Sequence, residues 1–271
     1  MIRPGLLLDV ADLDSVKDLI LLDTRLALTG PGGRQQYDAG HLPGAAYVDL
    51  DDDLSSPPGV GGRHPLPEPE DFVAAMRRAG VRRDSVVVGY DAGPATVASR
   101  LWWLLRDYGH VDVMVLDGGL AAWVAAGGEL STEPVNPAPG DWIGSPGEMP
   151  VVDAEGALER ATSGLLVDVR AGERFSGETE PLDPVAGHIP GAVNLPLAGN
   201  TGDEGRFLGP LALRERFAAL DGPVAAYCGS GVTATQTVLA LRLAGRDAAL
   251  YPGSWSGWIA DGSREVATGP A

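Results

Sequence analysis

The chain holds a single cysteine in 271 residues. One thiol cannot close an intramolecular disulfide, and a zinc site built on thiolates needs more than one, so both structural uses of sulfur fall away. Basic side chains are also scarce: 20 Lys and Arg stand against 37 Asp and Glu, a formal charge of −17. Such a surface repels nucleic acid and anionic membranes, and its excess serves solubility or a basic protein partner. No run reaches the ~18 apolar residues of a membrane-spanning helix. The apolar stretch in "MIRPGLLLDV" is too short for a signal-peptide core. These absences predict a cytoplasmic protein with neither nucleic acid nor membrane as partner. What remains is an ordinary globular composition, 44% hydrophobic and 21% charged, long enough for two domains.

Self-similarity divides the chain. "AGHLPGA" at 39–45 returns as "AGHIPGA" at 186–192, and Asp23-Thr24-Arg25 returns as Asp168-Val169-Arg170. "LLLDVADL" near the start matches "PVVDAEGAL" at 150–158, each a short strand followed by an Asp suited to cap a helix. "SVVVGYD" at 85–91 matches "PVAAYC" at 223–228, and "VLDGGLAAW" at 115–123 matches "LYPGSWSGW" at 250–258. Order is kept throughout, so the chain reads as a tandem duplication. The predicted boundaries are 1–130 for the first domain, 131–149 for a Pro- and Gly-rich linker that Trp142 pins to a surface, and 150–271 for the second. The first copy carries extra residues around "DDDLSSPPGVGGRHP", a loop by composition. Short β-rich runs alternate with helical patterns in each copy, which predicts α/β domains with a mainly parallel sheet flanked by helices.

The lone thiol sits in "YCGSGVTA" at 227–234, between a strand's carboxyl end and a helix that begins near Thr233. In parallel α/β sheets ligands bind at such ends. Gly229 and Gly231 can take the positive φ values that turn backbone N–H groups inward, and those donors, with the helix dipole, favour negative charge on the sulfur. Ser230 and Thr233 add hydroxyls. The pattern points to covalent chemistry at Cys228 rather than to a buried packing thiol. A phosphatase loop of the Cys-x5-Arg kind would need an arginine where Ala234 stands.

These motifs, with "LDGG" before Trp123 and "GSWSGW" at 253–258, resemble the tandem rhodanese-domain sulfurtransferases over essentially the whole chain. The resemblance implies two rhodanese-like domains, a catalytic Cys228 in the second, and a first domain made inactive by Asp91 at the cysteine position. It implies that Cys228 takes sulfur from a small-molecule donor as a persulfide and passes it to thioredoxin, a small thiol or cyanide, with no cofactor and no metal. The active-site loop is then Gly229, Ser230, Gly231, Val232 and Thr233. "CGSGVT" is similar to the 3-mercaptopyruvate branch, since 229–233 lacks the basic residues typical of the thiosulfate branch. Arg174 matches the arginine that holds the donor's carboxylate. His41 matches a histidine placed near Ser230 as a proton relay. A thiosulfate:cyanide sulfurtransferase is the alternative, and a carrier or regulatory module without turnover is a reading from another class. His64 carries no signal.

Overall fold

A computed structural model describes residues 5–27, 30–202 and 204–270. The chain forms two compact units: Met1–Ser55, Pro67–Met149 and Asp203–Phe207 make the first; Ser56–Leu66, Pro150–Gly202 and Leu208–Ala271 make the second. Two departures from the predicted boundaries follow. The stretch 131–149 belongs to the first unit, because Trp142 is buried there against Phe72, Tyr108 and His110. Ser56–Leu66, inside the first copy's insertion, belongs to the second unit.

In the first unit the strands are β1 (Leu7–Leu8), β2 (Leu19–Asp23), β3 (Ala46–Tyr47), β4 (Val86–Tyr90) and β5 (Val113–Leu116), and the helices are α1 (Gly33–Ala39), α2 (Pro69–Arg78), α3 (Thr96–Asp107) and α4 (Gly119–Ala125). The strands pair in the order β1-β5-β4-β2-β3, all parallel. The run "VVVGY" is apolar because a central parallel strand is covered on both faces. A methyl at its Gly89 would stand 2.9 Å from Leu101, so the glycine lets α3 seat closely on the sheet. Val88, Tyr90, Met114, Leu116 and Leu42 form much of the core on one face.

The second unit repeats the plan with α5 (Ala154–Thr162), β6 (Leu166–Asp168), α6 (Gly172–Ser176), β7 (Val193–Asn194), α7 (Pro210–Arg216), β8 (Ala225–Tyr227), α8 (Ala234–Leu243), β9 (Ala249–Leu250) and α9 (Ser254–Ala260). Its parallel order is β7-β6-β8-β9, and Val151 bridges to Leu250 in the place of β1. The predicted caps form: Asp9 Oδ1 accepts from the Ala11 amide and Asp153 Oδ1 from the Gly156 amide.

The paired motifs serve the fold. Arg25 binds both oxygens of Asp23 and the Gly40 carbonyl, and Arg170 binds both oxygens of Asp168 and the Gly187 carbonyl, each closest contact being 2.7 Å. Burial alone would lower the pKa of the Arg170 guanidinium; the hydrogen bonds and charge of Asp168 outweigh it and hold the pKa above its ordinary value. The amide after each motif histidine donates to a buried tyrosine at a strand end, Leu42 to Tyr90 and Ile189 to Tyr227. Each histidine ties its turn: His41 Nδ1 meets the Tyr37 carbonyl and its ring stacks on Tyr37, as His188 Nδ1 meets the Phe175 carbonyl and stacks on Phe175.

Candidate active site

Strand β8 ends at Tyr227, so Cys228 is the first residue beyond the sheet, and it is only 2% exposed. The Gly231 amide donates to its Sγ at 3.2 Å. Gly231 has φ +78°, and a Cβ there would run into the Pro252 carbonyl, so this turn requires glycine. The "GSWSGW" segment clamps the loop from outside. Ser254 Oγ accepts from the Cys228 amide at 3.1 Å, donates to the Tyr251 carbonyl at 3.0 Å and lies 4.0 Å from Sγ. The Trp255 and Ser256 amides donate to the carbonyls of Cys228 and Gly229 at 3.0 and 2.9 Å. Ser254 adopts φ 51°, a left-handed conformation costly for a residue with a side chain. Trp255 and Trp258 are both core residues. Val232 is buried and its carbonyl accepts from Thr235 Oγ1 at 2.6 Å; Thr233 sits at the α8 cap without a side-chain capping bond.

The first unit shows what this loop shape holds when the sulfur is replaced. Asp91 follows β4 as Cys228 follows β8. Its carboxylate accepts from the amides of Gly93, Ala95, Val97 and Ala98 at 2.9–3.3 Å. Burial raises the Asp91 pKa and those four amides oppose the rise. A carboxyl group thus fills a ring of N–H donors before a helix. Asp91→Ala strips that cap, and we expect a loss of about 1–2 kcal/mol in stability with turnover per folded molecule unchanged. Thermal unfolding run beside steady-state kinetics checks both halves.

Residues Ser56–Leu66 supply what the cysteine loop lacks. His64 Nδ1 lies 2.8 Å from Ser230 Oγ. The imidazole on Ser230 is therefore that of His64; His41, of which a relay was expected, places its Nδ1 on the Tyr37 carbonyl and stacks its ring on Tyr37. The preceding residue, Arg63, is anchored by its amide on Ser256 Oγ at 3.0 Å and by an ion pair with Asp183. Gly62, at φ +104°, allows the approach, since a Cβ there would lie 2.8 Å from Ser256 Oγ.

Arg174, near the end of α6, pairs with Glu180 at 2.7 Å and Asp183 at 3.4 Å, and Glu180 also takes Arg170 at 3.2 Å. These two carboxylates are buried, while Arg174 and Arg63 keep 18% and 30% of their side chains exposed. Burial lowers the Arg63 pKa; negative charge at Cys228 pushes it back up, and Arg174 opposes as a like charge. The guanidinium remains a cation. The absence of basic residues at 229–233 does not make the site poor in positive charge, because the arginines arrive from elsewhere in the chain. Arg63, His64, Glu180, Asp183 and Ser254 were all missed by sequence reasoning; "GGRHP" inside the insertion was the one available signal for the first two.

The rhodanese-like domain model matches twice, over residues 8–126 and 153–261. A Pseudomonas aeruginosa protein named for 3-mercaptopyruvate sulfurtransfer is 49% identical, the alignment covering 94% of each chain. A Mycobacterium tuberculosis protein named for thiosulfate sulfurtransfer is 44% identical, over 93% of this chain and 91% of that one. The crystal structure of SseA from Escherichia coli, described as a 3-mercaptopyruvate enzyme with the rhodanese fold, aligns with TM-score 0.80 at 32% identity over 93% of this chain and all of that one.

Proposed function

The chain belongs to the tandem rhodanese-domain sulfurtransferases, and on that premise we propose that it moves sulfur from 3-mercaptopyruvate through a Cys228 persulfide to a thiol acceptor. The observation that carries the reading is the Gly231 N–H aimed at the Cys228 sulfur, in a loop where Arg63 and Arg174 approach Gly229 and His64 meets Ser230. The Cys228 thiolate attacks the donor's sulfur, the carbon–sulfur bond breaks, and its electron pair passes to the methylene carbon of the pyruvate enolate. The donor's S–H proton moves to that carbon through Ser230 and His64, leaving pyruvate and an anionic persulfide, so atoms and charge balance. The Gly231 amide and the nearby arginines stabilise that anion. A thiol then removes the outer sulfur. With a single cysteine in the chain, the acceptor must come from outside, a small thiol or a dithiol protein such as thioredoxin. A reducing cytoplasm suits both the free thiol and such acceptors.

Thiosulfate is the second reading, favoured by the same arginines, which suit a sulfonate as well as a carboxylate. The two donors differ in one demand: sulfite leaves thiosulfate without needing a proton on carbon. Ser230→Ala and His64→Gln should therefore lower turnover of 3-mercaptopyruvate by ~100-fold, the usual worth of general acid–base help, and slow thiosulfate much less. Parallel initial rates for pyruvate and thiocyanate release test this, and equal losses on both donors would remove the relay. The ratio of kcat/KM values for the two donors in the native protein assigns the preferred one.

A further inference from the structure

We propose that the first unit binds a small zwitterionic α-amino acid in the cleft between α1 and α2, with Arg34 and Arg78 taking its carboxylate and the acidic turn 49–53 its ammonium group. The unit that carries Asp91 in place of the cysteine thereby has a ligand of its own, whatever the chemistry at Cys228.

The cleft measures about 240 Å³ and continues over the turn as a hollow of about 340 Å³. Arg34, Tyr47, Asp53 and Arg78 line both parts and belong to the first unit. Such volumes lie at or below the small end of the ~300–1,000 Å³ of drug-sized sites, which suits a metabolite of few atoms. The side chains of Ala46, Ala75 and Ala79 are too small to fill the floor, and the segment "PVNP" at 134–137 closes one side. The interior therefore takes a short apolar body, and the rim takes charge.

On the rim, Arg34 is held in place without being used up. Its Nε donates to Asp38 at 3.0 Å, and its guanidinium lies 5.4 and 5.8 Å from the ring centres of Tyr37 and Tyr47. Two rings under one cation fix its plane. Among the described residues no bond engages either Nη of Arg34. Arg78 gives only Nη2, to Asp53 Oδ1 at 2.8 Å. Two guanidinium groups with donors to spare in one cleft suit a carboxylate, which gains charge-assisted bonds from each.

The opposite sign comes from the turn. Asp49 is engaged on both oxygens, by the amides of Asp51 and Asp52 and by the Tyr47 hydroxyl, and Asp53 Oδ2 accepts from the Asp49 amide. The Asp52 carboxylate lines the hollow, is exposed, and has no described bond. Burial and the charge of Asp49 raise the Tyr47 pKa, so the phenol stays protonated and its oxygen keeps a lone pair for a donor. A guest with only a carboxylate is repelled by these acids, and one with only an ammonium group by the arginines. Both charges on one carbon answer both walls.

The test is isothermal titration calorimetry with three probes that share an isopropyl body: L-valine with both charges, isovalerate with the carboxylate alone and isobutylamine with the ammonium group alone. L-valine should bind at one site per chain, about 10-fold or more tightly than either of the others. Arg34→Gln, Arg78→Gln and Asp52→Asn change exposed side chains, and with circular dichroism confirming folding each should weaken L-valine by about 10-fold, the loss of one charge-assisted hydrogen bond. Arg174→Gln, which removes a cation from the second unit, should leave the affinity unchanged. Absence of L-valine binding up to ~10 mM, isovalerate or isobutylamine binding as tightly as L-valine, or an affinity that falls in Arg174→Gln and in none of the three cleft variants would each overturn the proposal. Failure of 3-mercaptopyruvate turnover in the native protein leaves these titrations as they are, so the two readings fail separately.

Discussion

Cys228→Ala should release no pyruvate from 3-mercaptopyruvate and no sulfite from thiosulfate above background. In the proposed mechanism both donors hand their sulfur to the same Sγ, and no other thiol exists in the chain. Removing a covalent nucleophile costs on the order of 10⁶-fold in turnover, which places the variant below detection. The loss will not be a folding defect. The side chain is small, its Sγ receives one described amide bond, and the clamp from Ser254, Trp255 and Ser256 engages only the backbone of 228 and 229. A stability change within about 1 kcal/mol is therefore expected. Cys228→Ser makes the point more sharply, since it keeps size and hydrogen bonding but cannot hold a sulfane sulfur. Residual turnover in either variant at more than a trace would remove the cysteine from the mechanism.

The second large effect falls on stability. Arg170→Leu takes from the buried Asp168 its arginine partner and leaves Glu180 with Arg174. Breaking a buried pair by deleting one partner costs about 3–5 kcal/mol, here increased by the lost Gly187 contact and the packing of the guanidinium on Trp255. Arg25→Leu does the same to Asp23 and Gly40 in the first unit. Each variant should lower its own unit's unfolding temperature by on the order of 10 °C, and a calorimetric trace should split into two transitions because only one unit is weakened. Kinetics separates the twins. Arg170 also orients Glu180, which orients Arg174, so its loss should raise donor KM, whereas Arg25→Leu, assayed where it remains folded, should not. Equal KM values in both would show that the Arg170–Glu180–Arg174 chain has no part in donor binding.

The duplicated plan was legible because its signals are local. Apolar runs ending in Asp-x-Arg and the recurring "GH[LI]PGA" fix strand ends and turns within a few residues, and the two copies corroborate each other. The cysteine loop was legible for the same reason: strand, glycines, hydroxyl and helix are contiguous. The partners of that loop were not. His64 and Ser230 are 166 positions apart, and no periodicity links a Gly- and Pro-rich insertion to a helix start. His41 attracted the relay role because its motif is conspicuous, yet the motif's twin at His188 shows why it recurs: both rings close a turn beneath a strand-end tyrosine. Charge was misjudged in the same way. Reading 229–233 alone finds no cation, while the fold lays Arg63 and Arg174 over Gly229. The stretch 131–149 looked like linker by composition, and one buried tryptophan, Trp142, was enough to bind it to the first unit.

The most direct measurement of the central claim is the intact mass of the protein after exposure to 3-mercaptopyruvate without any acceptor, followed by mapping of the peptide that contains Cys228. A gain of one sulfur atom on that peptide, erased by adding a thiol with stoichiometric sulfide release and absent from Cys228→Ala, is the predicted result. Pyruvate release with the Cys228 peptide unmodified at every time point would contradict it.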